Sequence, residues 1–117
     1  RSVFNSCLEL HTLVEWRLVM AQVNTLNRFV KKNNDFIRLF TSGVRSVEPD
    51  GNARVHIPKD LINYAGISKN IVLACVGSSL EIWDKEKYES AVNNASLDFA
   101  QLAEEVMGDQ QKKKEDE

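Results

Sequence analysis

Between Asp50 and Trp83 the chain reads DGNARVHIPKDLINYAGISKNIVLACVGSSLEIW, a run that holds a turn, several strand segments and a short helix with almost no linker between them. Asp50-Gly51-Asn52 has the chemistry of a tight turn, because aspartate and asparagine tolerate positive φ and glycine adopts it without steric cost. Val44 to Glu48 reads as the strand entering that turn, with Pro49 tolerated at its end. Arg54, Val55, His56 and Ile57 alternate as a half-buried strand leaving it. Pro58 stops the ladder and presets a short helix, Lys59 to Tyr64, which Gly66 closes. Ile71 to Val76 is continuously apolar and predicts a central strand covered on both faces, and Gly77-Ser78-Ser79 turns it into a further strand, Leu80 to Trp83.

Upstream, Val3 to His11 reads as a strand with Cys7, Glu9 and His11 on one face and Leu8 and Leu10 on the other. Thr12 followed three residues later by Glu15 matches a capping box, and Leu13, Trp16, Met20 and Val23 then recur as one apolar helical stripe. Asn24 to Asn34 is a polar connection in which Lys31 and Lys32 read as a solvated face, with a DNA contact as the alternative. Asn34 or Asp35 caps a second helix with Phe36, Leu39 and Phe40 on its buried side, ended by Ser42-Gly43, so that the two helices pair as a hairpin. Downstream, Asp84 is placed to cap a helix through Tyr88 and Val92, and Ser96 to cap a last amphipathic helix bearing Phe99, Leu102, Ala103 and Val106. DQQKKKEDE carries no apolar residue and reads as a disordered, solubilising tail.

Composition narrows the function classes. At 117 residues and 43% hydrophobic the chain suits one small globular domain. It has no apolar run long enough to span a membrane and no secretory leader, and without an initiator methionine it reads as part of a longer chain. Cys7 and Cys75 sit in apolar strand segments as small buried hydrophobes, and two lone cysteines make no disulfide framework, which fits a reducing cytoplasm. The formal charge is −2, so any nucleic acid must be met by a local patch repeated through assembly rather than by the field of the whole molecule. His11 and His56 are the only histidines and neither has metal-ligand spacing. A phosphate-binding glycine loop, a nucleophile elbow and a Cys-x-x-Cys pair are all absent. The chain therefore reads as a non-enzyme with no catalytic residue, metal, cofactor or small-molecule substrate.

One strand-plus-helix unit occurs twice. Ser6, Leu8, Glu9, Leu10 and Trp16 fall on Ser78, Leu80, Glu81, Ile82 and Tyr88 at a constant offset of 72 residues. The counterpart of the Asp50 to Ile71 segment would lie before residue 1, so the first copy lacks its turn, and strand edges are left for that segment or another chain to cover.

Asp50-Gly51-Asn52-Ala53-Arg54, Ile57-Pro58-Lys59, Tyr64-Ala65-Gly66 and Leu80-Glu81-Ile82-Trp83 together resemble the MraZ family of bacterial transcriptional regulators. The likeness extends to Glu15-Trp16, to the helix end at Phe36 to Gly43 and to Leu102 through Gly108. It implies an α+β chain with the AbrB-like swapped-hairpin β-barrel built from two half-barrel repeats and a helical hairpin between them. Residues 1–43 would be the remnant of the first repeat, 44–95 the complete second repeat, 96–108 a C-terminal amphipathic helix and 109–117 the disordered tail. It further implies a sequence-specific DNA-binding regulator of the division and cell-wall gene cluster, cytoplasmic and nucleoid-associated. Such a regulator presents several Arg-bearing turns to promoter DNA from a ring-shaped homo-oligomer.

On that resemblance Arg54 is the base or phosphate contact, Asp50 braces the turn, Asn52 shares the DNA-binding turn, and Lys59 and Arg45 add backbone contacts. Ala53 stands where the family pattern has glycine, and a positive φ there would cost alanine roughly 1 kcal/mol unless Gly51 and Asn52 shift the turn. The alternative expectation is an oligomerisation or protein-interaction module with no DNA binding of its own, which the acidic balance favours.

Overall fold

The computed structural model describes residues 1–96 and 98–115, with side chains described up to residue 94 and from 98 to 109. The chain divides into two compact units, Arg1–Lys85 and Glu86–Glu117. The architecture is α+β, with a small open antiparallel sheet and helices.

The sheet belongs to the first unit. It is built from β1 (Leu8–Leu10), β2 (Ile71–Val76) and β3 (Ser79–Asp84) in the order β1-β3-β2. Leu8, Glu9 and Leu10 lie against Ile82, Glu81 and Leu80, so the segments matched by the 72-residue offset pair with each other antiparallel through Glu9 and Glu81. β2 joins β3 through a two-residue turn whose Gly77 has φ +59°, with Ile71 opposite Asp84 and Val76 opposite Ser79. Alternation then puts Leu8, Leu10, Leu80, Ile82, Ile71, Leu73 and Cys75 on one face of the sheet.

Three expectations about strands are corrected. β1 is three residues long rather than nine, because the preceding chain doubles back, with Ser2 N–H donating to the Cys7 carbonyl at 2.9 Å. β2 is an edge strand, not a central covered one, and Leu73 (57% exposed) and Cys75 are open to solvent. An unbroken apolar run signals two buried faces only where something covers both, and here β3, with Trp83 buried at 7%, holds the middle. Val44 to Glu48 and Arg54 to Ile57 form no strands. Their turn is made, but the ladder beyond it does not continue, since an isolated two-stranded ribbon flanked by prolines has too little support in water.

Helix α1 (Leu13–Val23) starts as its sequence dictates, with Thr12 Oγ1 accepting from Glu15 N–H at 3.2 Å. Helix α2 (Lys31–Thr41) begins three residues before the expected Asn34 cap. Val30 occupies its N-cap with no side-chain cap, while Asp35 instead pairs with Lys31 at 3.0 Å and Arg38 at 3.6 Å. Trp16 stacks on Phe40 at 5.6 Å and Phe40 on Phe36 at 5.5 Å, which joins α1 to α2 as a hairpin through one aromatic column. Helix α3 (Lys59–Ala65) follows Pro58 and ends at Gly66, φ +63°, with Ile67 N–H returning to the Ile62 carbonyl. The core is small, formed by Cys7, Leu8, Val23, Ala65 and Trp83.

α4 (Lys85–Ser96) leads into the second unit and α5 (Phe99–Glu115) completes it. Asp84 accepts from the Ser68 amide and hydroxyl, both at 3.3 Å. α5 runs seven residues past Gly108, where the sequence suggested disorder, because glutamine, lysine and glutamate are good helix formers even without an apolar stripe. Residues 116–117 of that tail, and the capping side chain expected at Ser96, lie outside what the structure describes. No described helix is long and apolar enough to cross a membrane.

Candidate nucleic-acid interface

The turn at Asp50 is organised by one carboxylate. Asp50 Oδ1 accepts from the Asn52 amide at 2.8 Å and the Arg54 amide at 2.9 Å, and Oδ2 accepts from Arg54 Nε at 3.2 Å. The backbone closes the same loop, with Asp50 N–H donating to the Arg54 carbonyl at 2.8 Å and Ala53 N–H to the Asp50 carbonyl at 3.0 Å. The Arg54 amide, then the Asn52 amide and then the Arg54 guanidinium hold the Asp50 carboxyl below its usual range. The ion pair adds little stability at such an exposed site, but it fixes direction. Arg54 is anchored through Nε alone, its side chain is 74% exposed, and its two terminal Nη groups have no protein partner among the described residues. A guanidinium so held presents a planar pair of donors outward, the geometry that suits a phosphate or a guanine edge.

Ala53 has φ +59° and is the one non-glycine residue with positive φ among those described. Gly51 and Asn52 therefore do not absorb the left-handed step, and alanine carries it.

The expected site residues are only partly brought together. Asp50, Asn52 and Arg54 share the turn. Arg45 is committed elsewhere, with Nη2 3.2 Å from Asp60 Oδ2 and Nη1 donating to the Val44 carbonyl, so it is tied to α3. Lys59 opens α3 as an exposed cation next in sequence to that pair. Among the described residues there is no cluster of His, Cys, Asp and Glu able to hold a metal. His11 instead lies 3.1 Å from Glu9 and tilts against Trp16. Cys7 is buried, which pushes its thiol up to about 11, while Cys75 is exposed, contrary to the buried role expected of it, because β2 is an edge. Both are free thiols. One surface feature went unread in the sequence: Phe29, between two helices and among cations, is 100% exposed. An aromatic residue in an otherwise polar connection was the available signal.

Comparison with known proteins identifies the family. The family model described as "MraZ protein, putative antitoxin-like" matches residues 40–110, which include the turn, α3, β2, β3, α4 and most of α5. A protein of Christiangramia forsetii named "Transcriptional regulator MraZ" is 58% identical over 108 residues, covering 92% of this chain and 70% of the relative. Its namesake in Flavobacterium psychrophilum is 57% identical over 108 residues, covering 92% of this chain and 69% of the relative. A more distant one in Clostridium tetani is 35% identical over 102 residues, with coverages of 87% and 71%. The chain thus belongs to the MraZ family, a family of transcriptional regulators and not of enzymes.

Proposed function

We propose that the chain regulates transcription by binding promoter DNA through the Asp50–Arg54 turn. The observation that carries this reading is the anchoring of Arg54 at Nε by Asp50, which leaves both terminal amino groups of the guanidinium pointing to solvent from a closed turn. Arg54 is the base or phosphate contact, Asp50 and Asn52 set the turn that aims it, and Lys59 supplies a backbone contact. Arg45 acts more weakly, because Asp60 already holds it. One such turn makes few contacts, and a net charge of −2 gives no general attraction to DNA, so useful affinity needs several turns engaged at once. A homo-oligomer, ring-shaped by the family resemblance, meets that need. The free edge of β2 and its exposed Ile71, Leu73 and Cys75 are surface that a neighbouring chain or a further segment covers in completing a barrel of two half-repeats. The division and cell-wall gene cluster is the proposed target and the nucleoid the proposed place of action, both on the strength of the resemblance.

The same exposed β2 edge favours a second reading, a protein-interaction module that does not bind DNA itself. Titrating the chain against its own upstream DNA and against random duplex separates the two. The proposal expects tighter binding to the upstream DNA, with a salt dependence that steepens as more subunits engage. Equal or absent binding favours the interaction module.

A further inference from the structure

Trp16 to Asn34 contains four cations, Arg17, Arg28, Lys31 and Lys32, and no acidic residue, in a chain whose formal charge is −2. Three of the four crowd the tip of the α1–α2 hairpin around Phe29, which is 100% exposed, and Val30, which is 39% exposed. The tip is a built structure. Asn27 Oδ1 accepts from the Phe29 amide at 3.0 Å, and the Asn27 carbonyl accepts from Asn33 Nδ2 at 3.0 Å and from the Val30 amide at 3.3 Å. Lys31 is held by Asp35, but Arg28 and Lys32 have no ion pair or hydrogen bond among the described residues. Helix stability does not account for these charges either, since lysines in the first turn of α2, which has no acidic residue there, oppose the helix dipole.

We propose that this tip is a second DNA contact, with Arg28 and Lys32 against phosphates and Phe29 against the sugar edge or wedged at a base step in the groove. It rests on the reading that the Arg54 turn docks on DNA, which already sets a polyanion against the chain. Charge complementarity selects that partner. The tip offers two uncommitted cations and the amides of Asn24 and Asn34 for one exposed aromatic ring, a surface weighted toward phosphate rather than toward the hydrocarbon of a bilayer.

The test is a salt titration of binding to the upstream DNA and to random duplex. For the double variant Arg28→Gln, Lys32→Gln, affinity for both DNAs falls at least about tenfold at 0.1 M salt and the log–log salt slope becomes shallower by roughly 2, at about 0.9 per lost phosphate contact. Phe29→Ala weakens binding several-fold with the slope unchanged. Arg17→Gln, which removes one charge from α1 away from the tip, leaves the slope as in the parent. These side chains are exposed, so the fold survives each change. The proposal is overturned if the double variant keeps the parent's slope and affinity. It is equally overturned if the chain sediments with phosphatidylserine vesicles in a Phe29-dependent way while the DNA titrations of the tip variants match the parent. Failure of the turn reading looks different: Arg54→Ala then binds as the parent does, while the tip variants still lose affinity for random duplex.

Discussion

Replacing Ala53 with glycine relieves the one left-handed alanine among the described residues, and the structure allows the size of the effect to be worked out. Ala53 sits at φ +59° and its methyl group is exposed, so removing it forfeits little burial. Both hydrogen bonds that flank it, from its own amide to the Asp50 carbonyl and from the Arg54 amide to Asp50 Oδ1, use backbone donors that glycine leaves in place. The left-handed conformation costs an L-residue about 1–2 kcal/mol. Glycine's extra freedom in the open chain returns roughly 0.4–1 kcal/mol of that. The net gain is therefore about 0.5–1 kcal/mol. Because the segments on either side of the turn form no strands, the gain is local, and the suitable assay is amide exchange at Arg54 rather than global melting. Protection of that amide rises about two- to fivefold in Ala53→Gly and falls in Ala53→Val, whose branched side chain tolerates positive φ worst. Unchanged protection in both variants would falsify the left-handed turn.

The Asp50 carboxyl, held low by the Arg54 and Asn52 amides, contributes stability that is present above its unfolded value of about 3.9 and is lost as pH falls through the lower folded value. Carbon NMR titration finds its midpoint lower in the folded chain than in urea, and Asp50→Asn flattens the loss of Arg54 amide protection below about pH 4; coincident midpoints contradict the bonding described. A thiol reagent at pH 8 modifies Cys75 quickly and Cys7 slowly in dilute protein, since Cys7 is buried and its thiol is pushed up to about 11. Cys75 slows as concentration drives assembly over β2, and concentration-independent labelling argues against covering of that edge.

Much of the fold was legible because local chemistry decided it. Thr12 caps α1, Gly43 and Gly66 end α2 and α3 with positive φ, and Trp16 and Phe40 meet as their spacing suggested, although Leu13 and Leu39, expected on the same apolar stripes, are exposed. What was not legible depends on partners that a sequence does not display. Ile71 to Val76 is apolar enough for a central strand, yet its rank in the sheet depends on which strands are present to flank it. The strands around the Asp50 turn failed for the same reason: their alternation is right, but nothing among the described residues pairs with them. In the site, the bracing of Arg54 by Asp50 was implied by the family resemblance and the contact is present, whereas the diversion of Arg45 to Asp60 is a contact across fifteen residues that no local pattern announces.

The most direct test of the account is the affinity of Arg54→Ala for the upstream DNA, measured by anisotropy beside the parent chain with circular dichroism as a check on the fold. The Arg54 side chain is exposed, so the variant keeps the parent's spectrum. The account predicts that preference for upstream over random duplex disappears. A variant that binds the upstream DNA as tightly and as selectively as the parent would contradict the assignment of Arg54, and with it the turn as the reading surface.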